Sequence, residues 1–244
     1  MNKLFQLLTI SILLAACMRE RAPKISYQNQ PDSVATFTDL TKDTTKILVA
    51  NLPVQIDSTD VLIHTITLGE IQEENRYGRS QISILGSTVK VNDSYRSDYL
   101  GGEFKNLVFE HKDGSKTILT ARNVLIERAT FLRGVFNTTK QTYLLYIVYD
   151  RDTNKDGVID NKDLKSLYLS TVDGQDFRKL TEPMHEFHDY KLLENHKKFY
   201  LRTLEDTNRD GRLNNNDKVH YYRIEFGSDG YEVIEYYPTD LFDS

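Results

Sequence analysis

The sequence predicts a mainly β chain made of repeated antiparallel β units. Three observations carry that expectation. Runs of aromatic and β-branched residues of strand length alternate with clusters of Asn, Asp, Gly and Ser. Two strand, connection, strand units repeat with an offset of 54 residues, measured from Asp152 to Asp206. No stretch carries the three-and-four apolar spacing of a long amphipathic helix.

Taken in order, Ile47–Ala50 and Val61–Leu68 are the first candidate strands, and Ile82–Leu85 and Thr88–Val91 are short ones around Gly86. Tyr143–Tyr149 is a run of Tyr, Leu, Ile and Val bounded by polar turn formers. It is followed, after a polar connection ending at Asn161–Lys165, by Leu167–Val172. Lys198–Leu204 and Val219–Phe226 repeat the design. The content of 15 Tyr and 11 Phe with no Trp suits Tyr-rich strands.

The repeat is larger than the connection inside it. The same offset places Leu145 on Phe199, Tyr146 on Tyr200 and Tyr168 on Tyr222, and the units run on to Asp173-Gly174 and Asp229-Gly230 turns. A period near fifty residues is that of propeller blades or other stacked antiparallel units. Leu167–Thr181 and Asn106–Thr120, each a strand, an Asp-Gly turn and a short strand closing in Leu-Thr, resemble blades of the TolB-type periplasmic propellers. The resemblance covers about residues 100 to 237 and implies a propeller-like fold. The chain is too short for six closed blades, so an incomplete or smaller assembly is expected.

The connections inside the repeats are the sharpest chemical signal. Asp152–Asp163 and Asp206–Asp217 both read D-T-N-(K/R)-D-G with Asp six residues after the Gly, the spacing of an EF-hand-type calcium loop. Calcium takes six to eight oxygens, which such a loop supplies from positions 1, 3, 5, 7, 9 and 12. In the first loop these are Asp152, Asn154, Asp156, the Val158 carbonyl, Asp160 and Asp163. In the second they are Asp206, Asn208, Asp210, the Arg212 carbonyl, Asn214 and Asp217. Gly157 and Gly211 take the sharp turn at position 6, and Ile159 and Leu213 give an apolar anchor at position 8. Asp stands at position 12 where Glu usually closes the cage, so the loops resemble those of dockerin-type modules rather than of sensors. The second loop has three acids to the first loop's four and is expected to bind more weakly. The plainer alternative is a pair of Asp-Gly turns carrying solvated acids, as at His111–Gly114; two near-identical matches weigh against it. Strands, not helices, are expected on either side of both loops.

The amino terminus supplies the second signal. Lys3, the apolar stretch Leu4–Ala16 and Leu14-Ala15-Ala16-Cys17 resemble a bacterial lipoprotein signal, with residues 1–16 removed and Cys17 carrying lipid. The alternative is an ordinary secretory signal with a coincidental Cys. Met18, where Asp would mark inner-membrane retention, points to the outer membrane. Residues 17–45 are polar and read as a tether to a β domain over 46–244, whose calcium-loop repeats span about 143–181 and 198–237. Cys17 is the single cysteine, so an exported domain has no disulfide and calcium would have a structural purpose.

The net charge is −5, and removing Lys3 makes it −6, which argues against nucleic acid as a partner. Nucleophile elbows, phosphate-binding Gly loops and metalloprotease His pairs are absent from the sequence. His185 and His188 come nearest, in a stretch read as a loop joining two units. The expected function is therefore a non-enzymatic, calcium-binding envelope lipoprotein that binds a protein or glycan partner. The alternative is an exported glycan hydrolase using carboxylates such as Glu70, Glu103 or Glu110.

Overall fold

A computed structural model describes residues 22–27, 46–56, 59–72, 81–84, 90–91, 98–193 and 197–242. Cys17 and residues 1–21, with most of the stretch read as a tether, lie outside the described residues. The strands are β1 (Lys46–Ala50), β2 (Val54–Gln55), β3 (Leu62–Gln72) and β4 (Gln81–Ile84). There follow β5 (Lys90–Val91), β6 (Tyr99–Phe104), β7 (Asn106–Glu110) and β8 (Lys116–Ile118). Next come β9 (Leu125–Phe131), a short helix α1 (Arg133–Thr139), β10 (Tyr143–Tyr149), β11 (Lys165–Thr171) and β12 (Arg178–Lys179). The chain ends in β13 (His185–Leu193), β14 (Lys198–Glu205), β15 (Lys218–Gly227) and β16 (Gly230–Tyr236).

These strands form three antiparallel sheets, none of them closed. Sheet one runs β1-β3-β7-β8, with β2 and β4 also on β3. Sheet two runs β12-β11-β10-β9-β6-β5, and sheet three is the meander β13-β14-β15-β16. The expected strands are found wherever their residues are described, Leu85, Thr88 and Val89 of the two short ones lying outside them, and Tyr143–Tyr149 has the bounds read from the sequence. Among the described residues, no helix is long and apolar enough to cross a membrane.

Two stretches depart from the sequence reading. Met184–Asp189, read as a loop, mostly belongs to β13. Its period-two pattern is broken because the pairing with β14 shifts between Phe187 and Asp189, leaving His188 in a bulge. Helix α1 escaped notice because it is seven residues long and has no side-chain cap at Leu132.

Burial explains why β10 lacks strand-like alternation. All seven of its residues are buried, since sheet two is covered on both faces. Leu144, Tyr146 and Val148 meet Ile63, Leu107 and Phe109 of sheet one in one core. Tyr143, Leu145 and Ile147 meet Phe199, Leu201 and Ile224 of sheet three in a second core. The fully buried Tyr146 still satisfies its hydroxyl, which lies 2.7 Å from Ser170 Oγ.

Leu144→Ala and Leu145→Ala, one on each face of β10, are each expected to lower stability by about 2–5 kcal/mol, whereas Leu52→Ala on the surface changes it by less than about 0.5 kcal/mol. Chemical denaturation measures the three. Equal, small effects would show that β10 is not shared between two cores.

Candidate metal-binding loops

Each twelve-residue stretch connects two paired strands of one sheet. Residues 152–163 join β10 to β11, and residues 206–217 join β14 to β15. Neither is flanked by helices, as the sequence reading expected.

The two loops follow one backbone path. Position 4 is left-handed in both, at Lys155 (φ 63°) and Arg209 (φ 57°), and so is position 6, at Gly157 (φ 87°) and Gly211 (φ 80°). Asp152 accepts from the Asp156 and Gly157 N–H groups at 3.2 and 2.8 Å. Asp206 accepts from those of Asp210 and Gly211 at the same two distances. Asn154 and Asn208 each receive the N–H at position 5, at 2.8 and 2.9 Å. Asp156 and Asp210 receive the N–H at position 7, at 3.0 and 2.8 Å. At the close, Asp163 accepts from Thr153 and Asp160 N–H, and Asp217 from Thr207 and Asn214 N–H.

The loops differ in surroundings. In the first, Ile159 packs against Leu125 and Tyr149, and Asp163 is fully buried. Burial pushes the Asp163 carboxyl up, against the pull of the N–H groups of Asp160, Thr153 and Asn154. The Lys162 ammonium lies 2.9 Å from Asp160 Oδ2 and 3.5 Å from Asp156 Oδ2. It outweighs partial burial and holds Asp160 below the usual carboxylate range. In the second loop Leu213 is only half-buried, and Asn214 Oδ1 receives the Asn216 N–H at 2.9 Å. Val158 and Arg212, each offering a backbone carbonyl, have exposed side chains.

The donor set is all oxygen, the chemistry of a hard divalent cation. The side-chain carboxylates of neither loop gather three ligand atoms within 4.8 Å of one another, and in the first loop Lys162 stands against both Asp156 and Asp160.

Residues 22–27, within the stretch read as a tether, lie across both loops. Lys24 and Ile25 donate their N–H groups to the Gly211 carbonyl at 2.9 and 3.2 Å, and Ser26 donates to the Thr153 carbonyl at 2.8 Å. Thr153 Oγ1 returns a bond to the Lys24 carbonyl at 2.9 Å. Tyr27 donates its hydroxyl to Asp206 Oδ2 at 3.0 Å, and partial burial with the Asp206 charge pushes that phenol up to about 12. Lys24 Nζ reaches Glu186 Oε1 at 2.7 Å, while Ile25 is buried. Gly211 is therefore constrained twice. Besides its positive φ, a Cβ there would stand 2.4 Å from the Ile25 carbonyl oxygen, whereas Gly157 has nothing within 4 Å.

The carboxylates of the hydrolase alternative are dispersed. Glu70 lies on β3, Glu103 is exposed on β6, and Glu110 on β7 is 3.0 Å from Lys116 Nζ and 3.4 Å from His64 Nε2. Sheet three does assemble a group that the sequence reading did not foresee, namely His185, Glu205 and His220. Its members stand 15 and 20 residues apart on three strands, a spacing that no local motif encodes.

Comparison with protein-family models finds no match, and comparison with curated proteins finds no significant similarity.

Gly157→Ala is expected to cost about 1–2 kcal/mol from its left-handed backbone alone. Gly211→Ala should cost more and release residues 22–27, which limited trypsin digestion would report as faster cleavage after Lys24. Equal losses with no new cleavage would show that the segment does not depend on Gly211.

Proposed function

We propose that the chain is a non-enzymatic, calcium-binding lipoprotein of the cell envelope whose β domain serves as a binding or scaffold module. The observation that carries the calcium reading is the duplication: two loops of one backbone path, hydrogen bonded alike, on hairpins of different sheets. Asp-Gly turns have no need of an Asn at position 3 and an Asp at positions 1, 5 and 12 in both copies. Asp152, Asn154, Asp156, Val158, Asp160 and Asp163 would hold one ion, and Asp206, Asn208, Asp210, Arg212, Asn214 and Asp217 the other. The ion supplies a charge that gathers each loop's oxygens and fixes a long connection.

Antiparallel sheets stacked on both faces of a middle sheet whose strand β10 is fully buried support the propeller-like reading, with the sheets as blades of an open array. Anchoring rests on the sequence around Cys17, with lipid there placing the domain on the outer membrane and a protein or glycan as its partner.

Calcium is expected to raise the melting midpoint, by the equivalent of about 2.7 kcal/mol at a hundredfold excess over Kd. Asp152→Ala should remove one of two bound ions. An unchanged midpoint in millimolar calcium would sink the metal reading. Separately, Cys17→Ser is expected to move the protein from the membrane to the soluble fraction of the exporting cell, and an unchanged distribution would remove the anchor.

A further inference from the structure

The inner face of sheet three begins as a hydrophobic surface and ends as a ligand set. Along β15 the buried residues are Phe226, Ile224, Tyr222 and then His220; along β14 they are Phe199, Leu201 and Thr203, with half-buried Glu205 next on that face. The register pairs His185 with Glu205 and His220 with Thr203, so the two imidazoles stand on either side of the Thr203–Glu205 row. Their ring centroids are 4.6 Å apart. One ligand atom from each of His185, Glu205 and His220 falls within 4.8 Å of the others.

The outer partners of both imidazoles are also fixed. His220 Nδ1 lies 2.9 Å from Glu235 Oε1, on β16, and its Nε2 faces Glu205 Oε2 at 2.8 Å. His185 Nδ1 lies 3.1 Å from Thr203 Oγ1, which leaves its Nε2 as the ligand atom. A histidine whose Nδ1–H is held by a carboxylate or hydroxyl offers the Nε2 lone pair in a set direction, the usual support of a metal ligand.

We propose that His185, Glu205 and His220 form a binding site for a divalent transition ion of the zinc type, separate from the oxygen-only loops. Two imidazole nitrogens and one carboxylate oxygen suit Zn²⁺ and its borderline neighbours, and are poor ligands for calcium. Tetrahedral zinc with bonds of about 2.0–2.1 Å needs ligand atoms about 3.4 Å apart, so the group closes by side-chain shifts of roughly 1 Å. The entering ion takes the place of any proton shared between His220 Nε2 and Glu205, and that proton leaves to solvent. Three protein ligands leave a fourth position for water. His185 also lines a cavity of about 270 Å³, with Asp150, Tyr168 and Lys179 on its wall. The site closes the neck of the second loop, since Glu205 precedes Asp206 and His220 follows Asp217 by three residues.

The test is zinc titration of the tag-free full chain in excess calcium, followed by X-ray absorption at the zinc edge. One ion per chain with two imidazole nitrogens at about 2.0–2.1 Å supports the site. His185→Gln or Glu205→Gln should weaken binding by about 100-fold or more, and Glu235→Gln, which touches no ion, by about 10–100-fold. Glu232→Gln, at an exposed carboxylate on the opposite face of β16, should leave zinc affinity unchanged. The absorption measurement uses the unaltered chain, so a variant that fails to fold does not decide the outcome. Absence of zinc binding, an all-oxygen shell, or full affinity in the His185 and Glu205 variants would overturn the proposal. None of these results depends on whether calcium binds the loops.

Discussion

The two-sided burial of β10 is the constraint on which the rest of the structure depends. A strand covered on both faces can carry no outward polar residue, so its seven positions are apolar or aromatic. Its one buried hydroxyl without solvent access, that of Tyr146, must find a partner in Ser170. Sheets one and three each need only one apolar face because β10 and its neighbours offer them a surface. Their outer faces can then be polar, as exposed Glu232 on β16, cross-strand from Glu225, shows. Asp150, just beyond the end of β10, marks where this apolar layer stops. It accepts hydrogen bonds from Ser166, Tyr168 and Lys179, a saturated arrangement for a carboxylate near the core.

How much of this was legible in the sequence depended on whether the signal was local. Tyr143–Tyr149 declares itself because seven consecutive apolar residues leave little else to be, and the twelve-residue loops because their turn geometry is set by their own side chains. Strand β13 is harder to read. Its charged and polar residues lie near an edge, and the bulge at His188 spoils the alternation. The His185, Glu205 and His220 group is not legible at all. It exists only through the register of three strands, and register is a property of packing that no short spacing records. The contacts of residues 22–27 are hidden for the same reason, since their acceptors are mostly backbone carbonyls.

Loop two illustrates how local chemistry and tertiary packing are combined. Its own Asx-type hydrogen bonds set the turn, and Gly211 is needed for that turn in isolation. The approach of Ile25 then gives the same glycine a second reason to lack a side chain. Loop one reaches comparable order differently, through Ile159 on Leu125 and Tyr149 and through the buried Asp163. Equivalent motifs in the two repeats are thus held by different neighbours, and their environments need not respond alike to one ion.

The segment that crosses the two loops also fixes an order of events. Lys24 and Tyr27 find side-chain partners 162 and 179 residues further along the chain. Those partners do not exist until sheet three has been made, so among the described residues the first to be synthesised are the last to settle. Closing so long a loop costs only slightly more entropy than closing a moderate one, but it contributes nothing until the rest of the domain is in place. The amino-terminal stretch therefore stays accessible through most of folding, and its docking is a late seal on a domain already assembled.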